Sequence, residues 1–162
     1  MGIADSFGMA FAKAQEAAGG ELPLEGGVFI TVNDRDKPNV VPIARRFVEL
    51  GLTVLATEGT ARYLRARGIP AEKVLKVHEG RPNAIDLLRS GRIQLLINTP
   101  LGKLTQQDDY LIRQAALQQR LPYTTTLSAA SAACDAIIAL RNRAHTVRSL
   151  QEWYEIARRV EA

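Results

Sequence analysis

Thr57, Gly59 and Thr60 stand in the stretch Thr57-Glu-Gly-Thr60, between the apolar run Leu52-Thr-Val-Leu-Ala56 and a helical pattern opening Ala61-Arg-Tyr-Leu-Arg65. Small hydroxyl side chains and a glycine at the junction of a strand and a helix suit the capture of an anion. The first N–H groups of a helix have no intrahelical partner, and the helix dipole adds partial positive charge there. Thr60 is equally an ordinary N-cap and Gly59 an ordinary tight-turn glycine, neither needing a ligand. The stretch alone leaves both readings open, so the residues at the other strand ends decide between them.

Those ends follow from the alternation of elements after Gly26. Val28-Phe-Ile-Thr-Val32 reads as a first strand, followed by Asn33, Asp34 and Lys37. Pro38 then opens a helix whose buried stripe is Val41, Ala44, Phe47 and Val48, with Gly51 as its stop. The strand ending at Ala56 leads into the helix closed by Gly68, and Lys73-Val-Leu-Lys-Val77 is a third strand leading to His78-Glu-Gly-Arg81. Pro82 starts a helix over Asn83 to Arg89, and Ile93-Gln-Leu-Leu-Ile97, the most continuously apolar strand, takes a central place before Asn98-Thr-Pro-Leu-Gly-Lys103. Thr105 with Asp108 resembles a capping box for a helix through Arg120, Leu121-Pro-Tyr-Thr-Thr125 is a short fifth strand, and Ser128 caps a helix reaching Leu140. Ser149 with Glu152 marks a last helix near Trp153. Strict alternation predicts a three-layer α/β/α fold around a mostly parallel sheet of about five strands. Residues 1–22 stand apart: Phe7, Phe11, Ala14 and Ala18 recur on a helical period before Gly19-Gly20, a helix attached to the domain at 23–162 rather than part of it.

In an open sheet of this kind ligands sit outside the carboxyl ends of the strands, where the connections diverge. Thr31, Lys37, Thr57, Gly59, Thr60, Lys76, Asn98, Thr99 and Lys103 all lie near such ends. Lysines, hydroxyls, an amide and free backbone N–H groups together match a phosphate carrying a polar group. Charge-assisted hydrogen bonds contribute about 1.5–3 kcal/mol each, so two lysines and a few hydroxyls reach micromolar affinity for a phosphate ester, roughly −8 kcal/mol. The site reading now exceeds the capping one.

The same residues resemble a known family. Thr31-Val with Lys37, Ala56-Thr-Glu-Gly-Thr-Ala61, Lys76-Val-His-Glu-Gly-Arg-Pro82, Ile97-Asn-Thr99 and Tyr123-Thr-Thr-Thr-Leu127 are similar, in this order, to the C-terminal allosteric domain of carbamoyl-phosphate synthetase large subunits, a methylglyoxal-synthase-like fold. Ser6-Phe-Gly-Met-Ala-Phe-Ala-Lys-Ala-Gln15 is similar to the segment linking that domain to the ATP-grasp unit before it. The resemblance implies a regulatory, non-catalytic piece of a glutamine-dependent ligase that serves arginine and pyrimidine synthesis. The parent uses ATP with Mg or Mn, while this domain carries no cofactor of its own. By motif, Lys37, Thr57, Thr60 and Lys76 hold the phosphate of an effector, UMP as inhibitor or IMP as activator, with Thr31 beside them. Asn98 and Thr99 sit near the phosphate or ribose, and Lys103 is an outer contact. Tyr123, Thr124 or Thr125 match the segment that contributes to an ornithine site, most of which belongs to the preceding domain. The implied partners are the remainder of the large subunit, through it the glutaminase small subunit, and, as a further option, a second copy of the chain.

Two departures bear on the effector. Glu58 stands where the family often has histidine, and beside a phosphate it must turn outward or meet a cation; Pro100 stands where relatives carry a further threonine. Both leave the choice and sign of the effector open. The principal alternative is a methylglyoxal synthase-type lyase acting on dihydroxyacetone phosphate, which needs a carboxylate base within reach of the substrate carbon. The lyase family's Gly-Gly-Asp and Asp-Pro tracts are replaced here by His78-Glu-Gly-Arg81 and Thr99-Pro100, leaving Glu79 as base and His78 as electrophile. A purine-pathway cyclohydrolase half and a structural module with an unused crevice share the fold as lesser alternatives.

Composition sets the remaining bounds. The 162 residues suit one domain, which at this size hides roughly 68–70% of its extended-chain surface. Cys134, the single cysteine, lies in an alanine-rich helix as a small packing residue, which with the lack of an apolar leader predicts a reducing cytoplasm. No apolar run approaches the roughly 18 to 20 residues of a membrane span, which predicts a soluble protein. The +4 net charge comes from arginines scattered over helices with little aromatic interleaving, arguing against a nucleic-acid partner. His78 and His145, without cysteine or acidic clusters, argue against a metal.

Overall fold

The computed structural model describes residues 1–99, 106–142 and 147–160. Along the chain run α1 (Phe7–Ala17), β1 (Gly27–Val32), α2 (Lys37–Glu49), β2 (Thr53–Thr57), α3 (Glu58–Arg65), β3 (Glu72–Val74), a 3-10 turn (Val77–Glu79), α4 (Ala84–Arg89), β4 (Leu95–Thr99), α5 (Gln106–Gln118), β5 (Tyr123–Thr124), α6 (Leu127–Asn142) and α7 (Leu150–Val160). The sheet has five parallel strands in the order β3-β2-β1-β4-β5. Each central strand is apolar on both sides because both faces of the sheet are covered. Val28, Ile30, Val54, Ala56, Leu95 and Ile97 point into one cluster with Phe47 of α2, Leu64 of α3 and Ile137 of α6. Phe29, Leu55 and Leu96 point the other way, onto Leu88 of α4 and Ile112 and Ala116 of α5. The expected three-layer α/β/α architecture is therefore the one observed.

Several boundaries differ from the expected ones, each for a local reason. The third strand is Glu72–Val74, not 73–77, because Leu75 bridges to Asn83 and the chain turns at Lys76. There the Glu79 carboxylate accepts the Lys76 N–H at 2.9 Å, a capping contact that ends strand pairing. The next helix begins at Ala84 rather than at Pro82, since the Asn83 side chain accepts from Ile85 N at 3.0 Å while Asp86 Oδ2 accepts the Asn83 N–H at 3.0 Å. The fourth strand runs two residues further than 93–97, which puts Asn98 and Thr99 inside it. The stripe of α2 is Val40, Ile43, Ala44 and Phe47, one residue out of step with the expected one at its start, and Val41 and Val48 pack at its margin.

The first helix is not a free attachment. Ser6 caps α1 by accepting from Met9 N at 3.4 Å, Met9 and Ala12 are buried, and α1 lies along α6. Gly8 is the point of closest approach: a Cβ there would stand 2.5 Å from the Asp135 carbonyl oxygen. At α7 the expected cap is present, with Ser149 Oγ accepting from Glu152 N at 3.2 Å and Glu152 Oε2 accepting from Ser149 N at 2.6 Å. Trp153 lies near Lys13 and Arg148, whose charges stand 5.8 and 5.2 Å from its ring. Among the described residues no helix is long and apolar enough to cross a membrane. Pro100, Lys103, the Thr105 cap and His145 lie outside the described residues.

Candidate functional site

The strand order places a switch point between β1 and β4: β2 and β3 lie on one side of β1, β4 and β5 on the other. Connections leaving the carboxyl ends of β1 and β4 diverge there, and a crevice opens between them. Its volume is about 350 Å³, and Thr31, Lys37, Thr57, Gly59, Thr60, Lys76 and Thr99 all line it. Seven of the nine residues expected at the phosphate site thus face one cavity.

The α3 wall is built differently from the expected N-cap at Thr60. The helix starts one turn earlier, at Glu58, with Thr57 as N-cap in an extended conformation and no side-chain capping bond. Thr60 occupies the third helical position, almost wholly buried, and its hydroxyl lies 3.5 Å from that of Thr57. The first-turn N–H groups therefore face the crevice mouth beside two hydroxyls. Lys37, at the first position of α2, extends its ammonium to this turn: a Cβ on Gly59 would stand 3.1 Å from Lys37 Nζ. Glycine at this position leaves the lysine room. A cation against a helix N-terminus is repelled by the dipole, so an anion between them relieves both. Lys76 lies across the crevice at the N-cap of the 3-10 turn, and among the described residues no carboxylate lies within 4 Å of its ammonium.

Glu58 is directed away from the cavity. Its carboxylate pairs with Lys73 Nζ at 2.8 Å, and that hydrogen bond, then the lysine charge, holds it below the usual glutamate range. The requirement that Glu58 turn outward or meet a cation is met by a lysine of β3. On the other side Asp34 Oδ1 pairs with Lys37 Nζ at 2.5 Å, and the Asp34 carboxyl lies below its ordinary range through that bond and the lysine charge. Asn33 ties the β1 end to the β4 end: its Nδ2 donates to Asp36 Oδ2 at 2.6 Å and to Thr99 O and Oγ1 at 3.2 Å each.

Asn98 does not reach the crevice. It is buried on the α5 side of β4, where its Nδ2 donates to Asp109 Oδ1 at 3.0 Å, and its own Oδ1 has no protein partner. The segment Tyr123–Thr125 is divided by strand alternation. Tyr123 packs on the cluster beneath α5, Thr124 is buried with its hydroxyl unpartnered, and Thr125 lines a second, more open crevice with Asn33, Asp36, Thr99 and Ser128. Asp108, Asp109 and Ile112 of α5 also line the main crevice and were not among the expected residues. Asp108 Oδ2 stands 2.5 Å from His78 Nδ1. Nothing in local spacing brings the first turn of α5 back over β1; only the packing of α5 on Leu96 and Phe29 does so. Among the described residues no group of three or more histidine, cysteine and acidic side chains is placed to hold a metal.

Comparison with known proteins agrees with this geometry. Residues 39–125 match the MGS-like domain family. The carbamoyl phosphate synthase large chain of Gemmatimonas aurantiaca is 58% identical over 98% of this chain and 14% of its own length. The C-terminal section of the same large chain from Methanopyrus kandleri is 53% identical over 94% of this chain and 28% of that section. An arginine-specific, chloroplastic large chain from Oryza sativa subsp. japonica is 46% identical over 96% of this chain and 13% of its own. The chain thus spans about a seventh of the length of the full large chains it matches. In fold, a crystal structure of methylglyoxal synthase from Elizabethkingia anophelis superposes with a TM-score of 0.54 at 14% identity, covering 68% of this chain and 76% of that one.

Proposed function

The chain belongs to the MGS-like domain family and corresponds to the C-terminal portion of carbamoyl phosphate synthase large chains, and from that premise we propose that its crevice binds nucleoside monophosphate effectors that regulate the synthase. UMP as inhibitor and IMP as activator are the two effectors the family resemblance implies. The observation that carries the reading is the convergence of Lys37, Lys76 and the open first turn of α3, with Thr57 and Thr60, on one cavity. Three sources of positive potential aimed at one point match a dianionic phosphate better than any neutral group. A cavity of about 350 Å³ also leaves room beyond the phosphate for a sugar and part of a base.

In the whole synthase the effector pins the loop after β1, the first turn of α3 and the 3-10 turn, and through them biases the rest of the large chain, which bears ATP with Mg or Mn and communicates with the glutaminase subunit. Allosteric couplings of this kind are about 1–3 kcal/mol, a 5- to 150-fold change in affinity. Thr125, at the second crevice, is the residue of its segment best placed to contribute to an ornithine site shared with the preceding domain. The lyase alternative loses its expected base, since the Glu79 carboxylate is engaged with the Lys76 N–H and does not line the crevice.

Calorimetric titration of the chain with UMP, IMP and dihydroxyacetone phosphate, beside an assay for methylglyoxal, tests the proposal. Nucleotide binding without turnover is the expected result. Methylglyoxal production, or no binding of either nucleotide, overturns it.

A further inference from the structure

Lys37 serves two anions. Its ammonium, mostly buried, is 2.5 Å from Asp34 Oδ1, and the same ammonium leans on the first turn of α3 where a phosphate is to sit. Asp34 itself is almost fully exposed and lines the mouth of the crevice. Its position is set from behind by Asn33, which is fastened to Thr99 and Asp36 and whose Oδ1 accepts the N–H of Arg35 at 3.0 Å and of Asp36 at 3.2 Å. The carboxylate is therefore held in place by the loop and not merely drawn to the lysine. Lys76 on the far wall has no such carboxylate among the described residues.

We propose that Asp34 is a built-in competitor for Lys37 that sets the crevice's preference for dianionic over monoanionic ligands. An incoming monoanion at Lys37 replaces one singly charged oxygen group by another, and the ion pair lost offsets the one gained. A phosphate monoester carries a second charge, so it recovers the loss by reaching Lys76 and the α3 turn as well. Asp34 thus penalises carboxylates and phosphodiesters more than it penalises phosphate monoesters. The inference rests on the reading of the crevice as a phosphate site and specifies which anion it selects.

The test compares the chain with its Asp34→Asn variant, titrated at pH 8 with UMP, a dianion there, and with 3′,5′-cyclic UMP, a monoanion. Because Asp34 is exposed and asparagine has its size, folding is undisturbed and is checked by circular dichroism. The variant is expected to bind UMP about two- to fivefold more tightly, the range of an exposed ion pair released. Its gain for the cyclic ester is expected to be larger, so the preference for the dianion narrows. Unchanged or weakened UMP binding in the variant, with binding by the parent chain intact, overturns the competitor and leaves the phosphate site standing. Equal gains for both ligands overturn the selectivity and leave the site standing. Failure of both proteins to bind UMP overturns the phosphate reading and the competitor with it.

Discussion

Lys76 shows how one side chain divides the functional from the structural readings. It makes no ion pair that stabilises the fold among the described residues, yet its main chain caps a turn and its side chain faces the crevice. Lys76→Ala is therefore expected to leave stability nearly unchanged and to weaken UMP binding at least about tenfold, the loss of one charge-assisted contact. Unaltered affinity in the titration removes Lys76 from the site. Gly59 makes the opposite trade. In α3, alanine is favoured over glycine, so Gly59→Ala is expected to raise unfolding free energy by about 0.5–1 kcal/mol. The added methyl meets the tip of a flexible lysine at 3.1 Å, which moves aside cheaply but carries Lys37 away from the anion. Higher stability with weaker UMP binding is the expected pair of results in urea denaturation and calorimetry. Lower stability shows that the lysine cannot yield. Residue types were the most legible part of the site, because lysine, threonine and glycine after strands state their chemistry openly. Asp108 and Asp109 were not legible, since only tertiary packing returns them to the cavity.

At the scale of elements, the sequence announced helices and strands well and their junctions less well. Apolar β-branched runs such as Val28–Val32 and Leu95–Ile97 leave little choice but strands buried on both faces. The third strand misled because Lys73 to Val77 alternates as a strand should, while Glu79 competes for the Lys76 N–H and turns the chain early. Helix α1 misled for another reason: its weak periodicity and flanking glycines resemble a linker, and only the fit of Gly8 to the α6 backbone reveals its docking. That fit is testable. Gly8→Ala places a methyl 2.5 Å from the Asp135 carbonyl oxygen and 2.8 Å from its carbonyl carbon, and backbone, unlike a lysine tip, cannot yield cheaply. A loss of about 1–3 kcal/mol is expected from the overpacking, read from the urea midpoint at unchanged slope. A neutral result shows that α1 rides on α6 loosely enough to lift away.

For the whole molecule, strand order was the least legible feature, because no local pattern says that β4 lies beside β1 rather than beside β3. The order makes the crevice a joint construction of β1, α2, α3, the 3-10 turn and β4, so a ligand there binds only the assembled fold. Cys134 offers a reporter of that assembly from the other end of the structure. It is fully buried between α6 and α2, with its Sγ 4.0 Å from the Ile43 carbonyl oxygen, and burial pushes its thiol up to about 12 from an ordinary 9.0. Between those values the native state holds a proton that the unfolded chain has released, so stability falls as pH rises above about 9. At pH 8 the native thiol is neither ionised nor accessible, and an alkylating reagent is expected to label Cys134 only after opening. Where opening and closing are fast relative to labelling, the rate follows the open population. UMP at about 100 times its Kd then slows labelling about 100-fold, equivalent to about 2.7 kcal/mol, if the crevice and the core open together. Slowing by much less, at saturating nucleotide, shows that the α2–α6 face opens while the crevice stays closed, and separates the molecule into two cooperative units.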